Sequence, residues 1–314
     1  MAAVLCLAGT RNLPVVAAGH LCDLLTGAEH AATVLTAGRL AAYLSVDVGN
    51  GAPLVVAVVG SGALVPPSSL LLPAGVAPRD LLSAGDRVVV GGGHVRSGAP
   101  AQRSAGGSWR LHPVRWTVAA QARPGRPDAA AVADLAARLA AGPVPARDVV
   151  TARAAAAPAA QALLADRPAD AVRLLTGVLG LGPGTTPSGD DVAAGVLLAA
   201  RSLDGWVAPD VLAQVAARVA GAALTRTTTV SAGLLADAAA GRCTPPVAAA
   251  LARLAPRSPL VAPAAGRVAA QPDPISGLLA LGHCSGADLA TGLVAVLAAL
   301  TDAPSTTHPR RRIA

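Results

Sequence analysis

A polar Arg-Pro-Gly cluster at residues 121–128 divides this sequence into two stretches that no single periodicity describes. Before it, short apolar and β-branched runs stop at glycine and proline. Residues 54–59 lie between Gly51-Ala52-Pro53 and Gly60-Ser61-Gly62, and residues 87–90 run from an Ala-Gly-Asp turn to Gly91-Gly92-Gly93. Residues 109–118 alternate in part, with Leu111, Trp116 and Val118 as apolar positions. Residues 20–42 suit a short helix or strands equally. After the cluster the chain turns Ala/Leu-rich, with helical spacing at 129–141, 159–175, 192–203, 211–224, 230–240 and 289–300. The expected fold class is α+β: a β-rich barrel or sandwich over 1–120, a linker at 121–128, a mainly α-helical domain over 129–303 and a basic flexible tail over 304–314.

Both parts need a core built without phenylalanine, which the sequence lacks; with 53% apolar residues, Ala, Leu and Val supply it. Lysine is absent too, which excludes a Walker A loop and a lysine Schiff base. The formal charge of +7 is all arginine and is spread out: residues 1–120 carry 8 Arg against 5 acids, and the rest 17 against 13. No basic stripe forms and stacking aromatics are scarce, so nucleic acid is not the expected partner. The four cysteines show no CxxC spacing, which argues against a zinc cluster or a disulfide framework. The longest charge-free stretch, 48–78, contains five prolines and reads as strands and turns, so no membrane span is expected. No basic region precedes the short apolar start, and the expected location is the cytoplasm.

Chemistry concentrates in glycine-rich turns that feed helix starts. In Gly180-Leu181-Gly182-Pro183-Gly184-Thr185-Thr186-Pro187-Ser188-Gly189-Asp190-Asp191, the glycines let the backbone take positive φ and approach a ligand. Ser188 and Asp191 have the spacing of a capping box, which would leave Asp190 free to bind Mg²⁺ or orient an amine. An ordinary helix start uses the same residue types. A second turn, Gly282-His283-Cys284-Ser285-Gly286-Ala287-Asp288, repeats the Ser/Asp spacing. The pattern Ser-Gly-x-Asp-[Val/Leu]-Ala-x-Gly occurs at 188–195 and at 285–292, and 177–182 echoes 277–282, with three extra residues in the first turn. This is either an internal duplication or a coincidence of a small alphabet. A duplication would set two loop–helix units facing each other across one pocket, with Gly195 and Gly292 allowing close helix packing.

The amides and dipoles of these helix starts favour an anion. The expected anion-binding residues are Gly182, Gly184, Thr185, Thr186, Ser188 and Gly189 in the first turn, and Cys284, Ser285 and Gly286 in the second. Arg226 with Thr228, Thr229 and Ser231 joins them from a threonine-rich stretch that otherwise reads as a plain N-cap. Asp190, Asp191 and His283 are the candidate catalytic side chains, and a thiolate at Cys284 would be acidified by its helix start. No metal-ligand spacing and no resident cofactor are indicated beyond the Mg²⁺ option.

GLGPGTTPSGDDVAAG, TTTVSAGLL and GHCSGADLATG resemble, in order, the GxGPGLTPSGDD, TTxxS and GHSSGxD motifs of a bacterial domain family that includes the AllH-type third subunit of oxamate carbamoyltransferase. The resemblance covers most of 170–300, with Thr185 in place of the usual Leu and Cys284 in place of the first Ser. It implies a subunit of a carbamoyltransferase-like complex of ureide and purine nitrogen catabolism, with a small anionic substrate such as carbamoyl phosphate or oxamate and an FdrA-like partner subunit. It transfers no catalytic residue. The alternatives are a non-catalytic scaffold or regulatory subunit, and a phosphotransferase.

Overall fold

The computed structural model describes residues 6–7, 10–49, 51–97, 108–122, 125–142, 146–203, 205–256 and 273–301. The expected tail lies outside them. The chain divides into two compact units, Met1–Ala120 and Gln121–Ala314.

The first unit resolves the barrel-or-sandwich alternative as a closed barrel. Its strands are β1 (Cys6–Leu7), β2 (Thr10–Ala18), β3 (His30–Ala37), β4 (Ala41–Val46), β5 (Leu54–Val59), β6 (Ser69–Leu71), β7 (Arg87–Gly91), β8 (His94–Ser97) and β9 (Ser108–Thr117). Eight run in the order β2-β6-β5-β4-β3-β7-β8-β9, and a parallel pairing of β2 with β9 closes the ring. Closure leaves no long unpaired edge to template aggregation. Leu13, Val15, Leu44, Val58, Val90 and Leu111 fill the interior that larger aromatics would otherwise occupy. A register shift between Val15 and Val16 leaves Val114 unpaired. Beyond it Trp116 and Val118 stay on the outside, so the partial alternation of this segment ends at a bulge. Residues 20–42 hold both forms that the sequence left open, a short α1 (Cys22–Thr26) and then β3. The three glycines at 91–93 make the β7–β8 turn, where a Cβ on Gly91 would stand 2.2 Å from the Ala28 carbonyl oxygen.

The second unit contains α2 (Ala129–Ala140), α3 (Arg147–Ala154), α4 (Ala156–Leu164), α5 (Pro168–Val178), α6 (Ser188–Arg201), α7 (Pro209–Arg226), α8 (Thr229–Ala239), α9 (Pro245–Leu254), α10 (Pro274–Leu279) and α11 (Ser285–Thr301). The single helix expected over 159–175 is two. Pro168 cannot sit inside a helix and instead occupies the first turn of α5. Two of the helices that sequence spacing missed, α9 and α10, likewise open on proline and are short. Gly125 donates its amide to Ser202, and Asp128 to Leu254, so the described residues of the 121–128 cluster are tied into the helical unit.

Helix α6 is the axle of this unit. Every residue from Ser188 to Ala200 is buried, because α3, α4, α5, α7, α8 and α11 surround it. A helix buried on all sides, apolar from Val192 to Ala200, belongs in the middle of a bundle. Gly221, exposed in α7, has nothing within 4 Å of its added Cβ. Gly221→Ala is therefore expected to stabilise the chain by about 0.5–1 kcal/mol, read from urea unfolding.

Candidate functional site

The two glycine-rich turns are structural equivalents. In the first, Leu181 donates to the Val178 carbonyl at 3.1 Å and Gly189 to the Leu181 carbonyl at 2.9 Å. In the second, Leu281 donates to Leu278 at 3.1 Å and Gly286 to Leu281 at 2.9 Å. Gly182 and Gly282 both take positive φ, at 109° and 57°. A Cβ would come within 1.9 Å of the Val178 oxygen at Gly189 and within 2.2 Å of the Leu278 oxygen at Gly286. The sequence match is thus a match of hydrogen bonds and of close backbone approaches, as a duplication requires.

The helices that follow cross each other at matched glycines. A Cβ on Gly195 would lie 2.1 Å from the Leu289 oxygen, and one on Gly292 would lie 2.3 Å from the Val192 oxygen. Val192 and Leu289 are themselves equivalent positions in the repeat, so the contact is reciprocal and approximates a local twofold. Close packing at Gly195 and Gly292 follows the expectation.

Side-chain roles differ from the capping-box reading. Pro187 is the N-cap of α6, and no side chain caps it. Ser188 is already helical, so it is not the N-cap whose hydroxyl accepts from a first-turn amide, and Asp191 has no cap to complete. Asp190 is not the free carboxylate that this reading made it. It accepts hydrogen bonds from the Gly180 amide at 2.9 Å, the Ser231 hydroxyl at 2.6 Å and the Thr227 hydroxyl. It clasps three segments.

Asp191 faces a different environment. It is 9% exposed, the Ser285 hydroxyl lies beside it, and Oδ2 has no partner. Asp288, its repeat equivalent, is fully buried; Arg153 Nε lies 2.7 Å from Oδ1, and Oδ2 again has no partner. The buried Ser188 hydroxyl is a third polar atom without a partner. Cys284 lies beside Ser188, Asp191 and Asp288. Thr186 and Ser285 hydroxyls meet at 3.1 Å. The bundle therefore gathers Asp191, Asp288, Ser188, Cys284, Ser285, Thr186 and Arg153 at the facing starts of α6 and α11.

Burial pushes the Asp191 carboxyl up to about 8; the negative charges of Asp288 and Asp190 add to this, while the Ser285 hydrogen bond opposes it. Burial, with Asp288 next, also holds the Cys284 thiol above its ordinary range. This reverses the acidified thiolate expected from a helix start alone. Linkage gives the sign for Asp191. An unfolded aspartate releases its proton near 3.8, whereas the folded one keeps it to about 8. Stability from this group is full below the lower value and falls as pH rises through the upper one. Asp191→Asn is expected to remove that decline and to make the chain more stable than the parent at pH 9, in melts recorded across pH.

Other expected residues lie elsewhere or are occupied. His283, Gly184 and Thr185 are exposed. Arg226 is exposed and donates to the Thr176 carbonyl at 3.1 Å. Thr228 caps α8 through the Ser231 amide and donates to the Thr185 carbonyl at 2.6 Å, which ties the first turn to α8. Thr229 opens α8, and Ser231 serves Asp190. The amides of Gly189 and Gly286 are used inside their own turns. Asp288 and Arg153 were missed. The repeat itself signalled Asp288; Arg153 lies on α3, which spacing did not reveal. Among the described residues, no three His, Cys, Asp or Glu side chains form a metal-binding group, and no helix is long and apolar enough to cross a membrane. A separate groove of about 360 Å³, lined by Arg201, Leu203, Val207 and Leu212, lies at the other end of α6. It is roughly 15 Å along the helix from Asp191.

The family model described as oxamate carbamoyltransferase subunit AllH matches residues 178–297, a span that holds both turns and the α6–α11 crossing. No curated protein and no solved structure matches the chain.

Proposed function

We propose that this chain is a subunit of a carbamoyltransferase complex and that Asp191, Asp288 and Ser188 form its working site. The observation that carries the reading is the trio of buried polar atoms without partners, one on each of these side chains, gathered between two helix starts. Leaving such groups unsatisfied costs about 1–3 kcal/mol each. Three such atoms at one place call for an explanation, and a ligand that supplies the missing bonds gives one. The match to the AllH family model supports the reaction class, with carbamoyl phosphate or oxamate as the small substrate and an FdrA-like chain as the partner.

Reconstitution with an FdrA-like subunit, assayed for carbamoyl transfer from carbamoyl phosphate to oxamate, tests the proposal. Asp191→Asn keeps size and polarity and removes the proton. It is expected to lower turnover about 100-fold or more while the complex still assembles on a sizing column. Normal turnover in that variant would reject the site. A scaffold role is the second reading, favoured by one observation: the three free atoms have no surface open to water. It predicts that the variant disturbs assembly and not the rate.

A further inference from the structure

We infer that the Asp191–Asp288 pair recognises the edge of a primary carboxamide or carbamoyl group, one oxygen and one NH2, rather than a phosphate or carboxylate. This rests on the proposal that the pair is a ligand site, and it replaces the anion cradle that glycine-rich helix starts suggest.

The argument is an inventory of hydrogen-bonding capacity. Arg153 holds Oδ1 of Asp288, the Ser285 hydroxyl lies beside the Asp191 carboxyl and the Cys284 thiol beside Asp288 and Ser188, and the Oδ2 atoms of both aspartates lack a hydrogen-bond partner. Among the described residues Asp191 forms no ion pair, and Arg153 is bonded to Asp288. Two neighbouring carboxylates in a poorly solvated site do not both stay charged, and the arginine counter-charge sits on Asp288 and not on Asp191. Asp191 therefore carries the proton, in keeping with the direction in which its surroundings push it. The pair presents one O–H donor at Asp191 and one carboxylate acceptor at Asp288, with the Ser188 hydroxyl able to serve either way.

A primary amide is the complement of that pair. Its carbonyl oxygen accepts from Asp191, and one of its N–H groups donates to Asp288 Oδ2. A carboxylate or phosphate offers only acceptors when ionised and meets the Asp288 charge at close range. An acid that carries both groups therefore enters amide first, with its anionic end turned away. The free oxygens have no open surface, so a ligand reaches them only as an adjoining turn yields.

Oxamate and oxalate test this, because they differ by one NH2 in place of one oxygen. Calorimetric titration of the full chain, alone and in its partner complex, is expected to give oxamate at least about 10-fold tighter than oxalate at pH 6.5. The neutral diamide oxamide should bind as well, and inorganic phosphate should not compete. Oxamate affinity is expected to fall as pH rises through about 8, the value to which Asp191 is pushed, and to stay flat in Asp191→Asn. The groups facing Asp191 are Asp190 on its own helix, Asp288 on α11, Cys284 in the adjoining turn and Arg153 on α3 through Asp288. Of these, Cys284 is the other group whose ionisation could enter the window. Cys284→Ala should therefore leave the profile unchanged, and a profile that follows this substitution overturns the assignment. Oxalate or phosphate binding as tightly as oxamate overturns the inference, as does no binding of oxamate or oxamide. If turnover depends on Asp191 while oxalate is preferred, the site stands and the amide reading falls. If oxamate binds as described but the complex transfers no carbamoyl group, the functional proposal falls and the recognition stands.

Discussion

Asp190→Ala is expected to destabilise the helical unit by about 4 kcal/mol and to lower its melting temperature by roughly 10 °C. The side chain is 1% exposed and accepts from a backbone amide and two hydroxyls. Those donors belong to the α5–α6 turn, to Thr227 between α7 and α8, and to α8. Alanine would leave all of them facing a void, each at about 1–3 kcal/mol. Asp190→Asn keeps the volume and part of the accepting capacity, so about half of the loss is expected. Both values are read from urea unfolding followed by circular dichroism. A loss below about 1 kcal/mol for alanine would mean that the three segments hold together without their clasp.

The glycine crossing should also be sensitive, and in a characteristic way. Gly195→Ala and Gly292→Ala place a methyl group 2.1 Å and 2.3 Å from carbonyl oxygens of the opposing helix. Neither oxygen can step aside, because each is part of a helix backbone. The helices must separate, and each substitution is expected to cost about 2–3 kcal/mol, even though alanine favours a helix by about 1 kcal/mol over glycine. The double variant should cost less than the sum of the singles, since the first methyl group already opens the gap that the second needs. Opening the crossing also moves Asp191 away from Asp288, so oxamate binding should fall in both single variants. Gly221→Ala, with no neighbour to meet, is the control that should gain stability. Additive losses in the double variant would contradict the reciprocal contact.

The repeat at 188–195 and 285–292 was readable before any coordinates, and it located the α6–α11 pair, its glycine crossing and most of the residues gathered there. Regular spacing also located α2, α6, α7, α8 and α11, and β5 was visible as an apolar run between turns. Other features depended on contacts that spacing does not encode. Closure of the barrel rests on a parallel pairing between Thr10–Ala18 and Ser108–Thr117, far apart in sequence. The division of labour between Asp190 and Asp191 depended on where α6 begins. With Pro187 as N-cap, Ser188 falls inside the helix, and Asp190 turns to Thr227 and Ser231 while Asp191 turns to α11. The alanine-rich stretch before α6 concealed α3, and with it Arg153. Glycines at helix starts suggested an anion; spacing could not show that the amides of Gly189 and Gly286 are taken up inside their own turns, or that two carboxyl oxygens lie bare nearby, the observations from which the amide inference is argued.

The central claim is that Asp191 holds a proton in a buried pair that meets the substrate. Carbon-13 NMR of aspartate carboxyls, recorded from pH 5 to pH 10 in the parent chain and in Asp191→Asn, tests it directly. One resonance is predicted to titrate near 8, to be missing in the variant and to move when oxamate is added but not when oxalate is. Aspartate carboxyls that all titrate below about 5, as unperturbed ones do, would contradict the account, as would a high-titrating resonance that oxamate leaves in place.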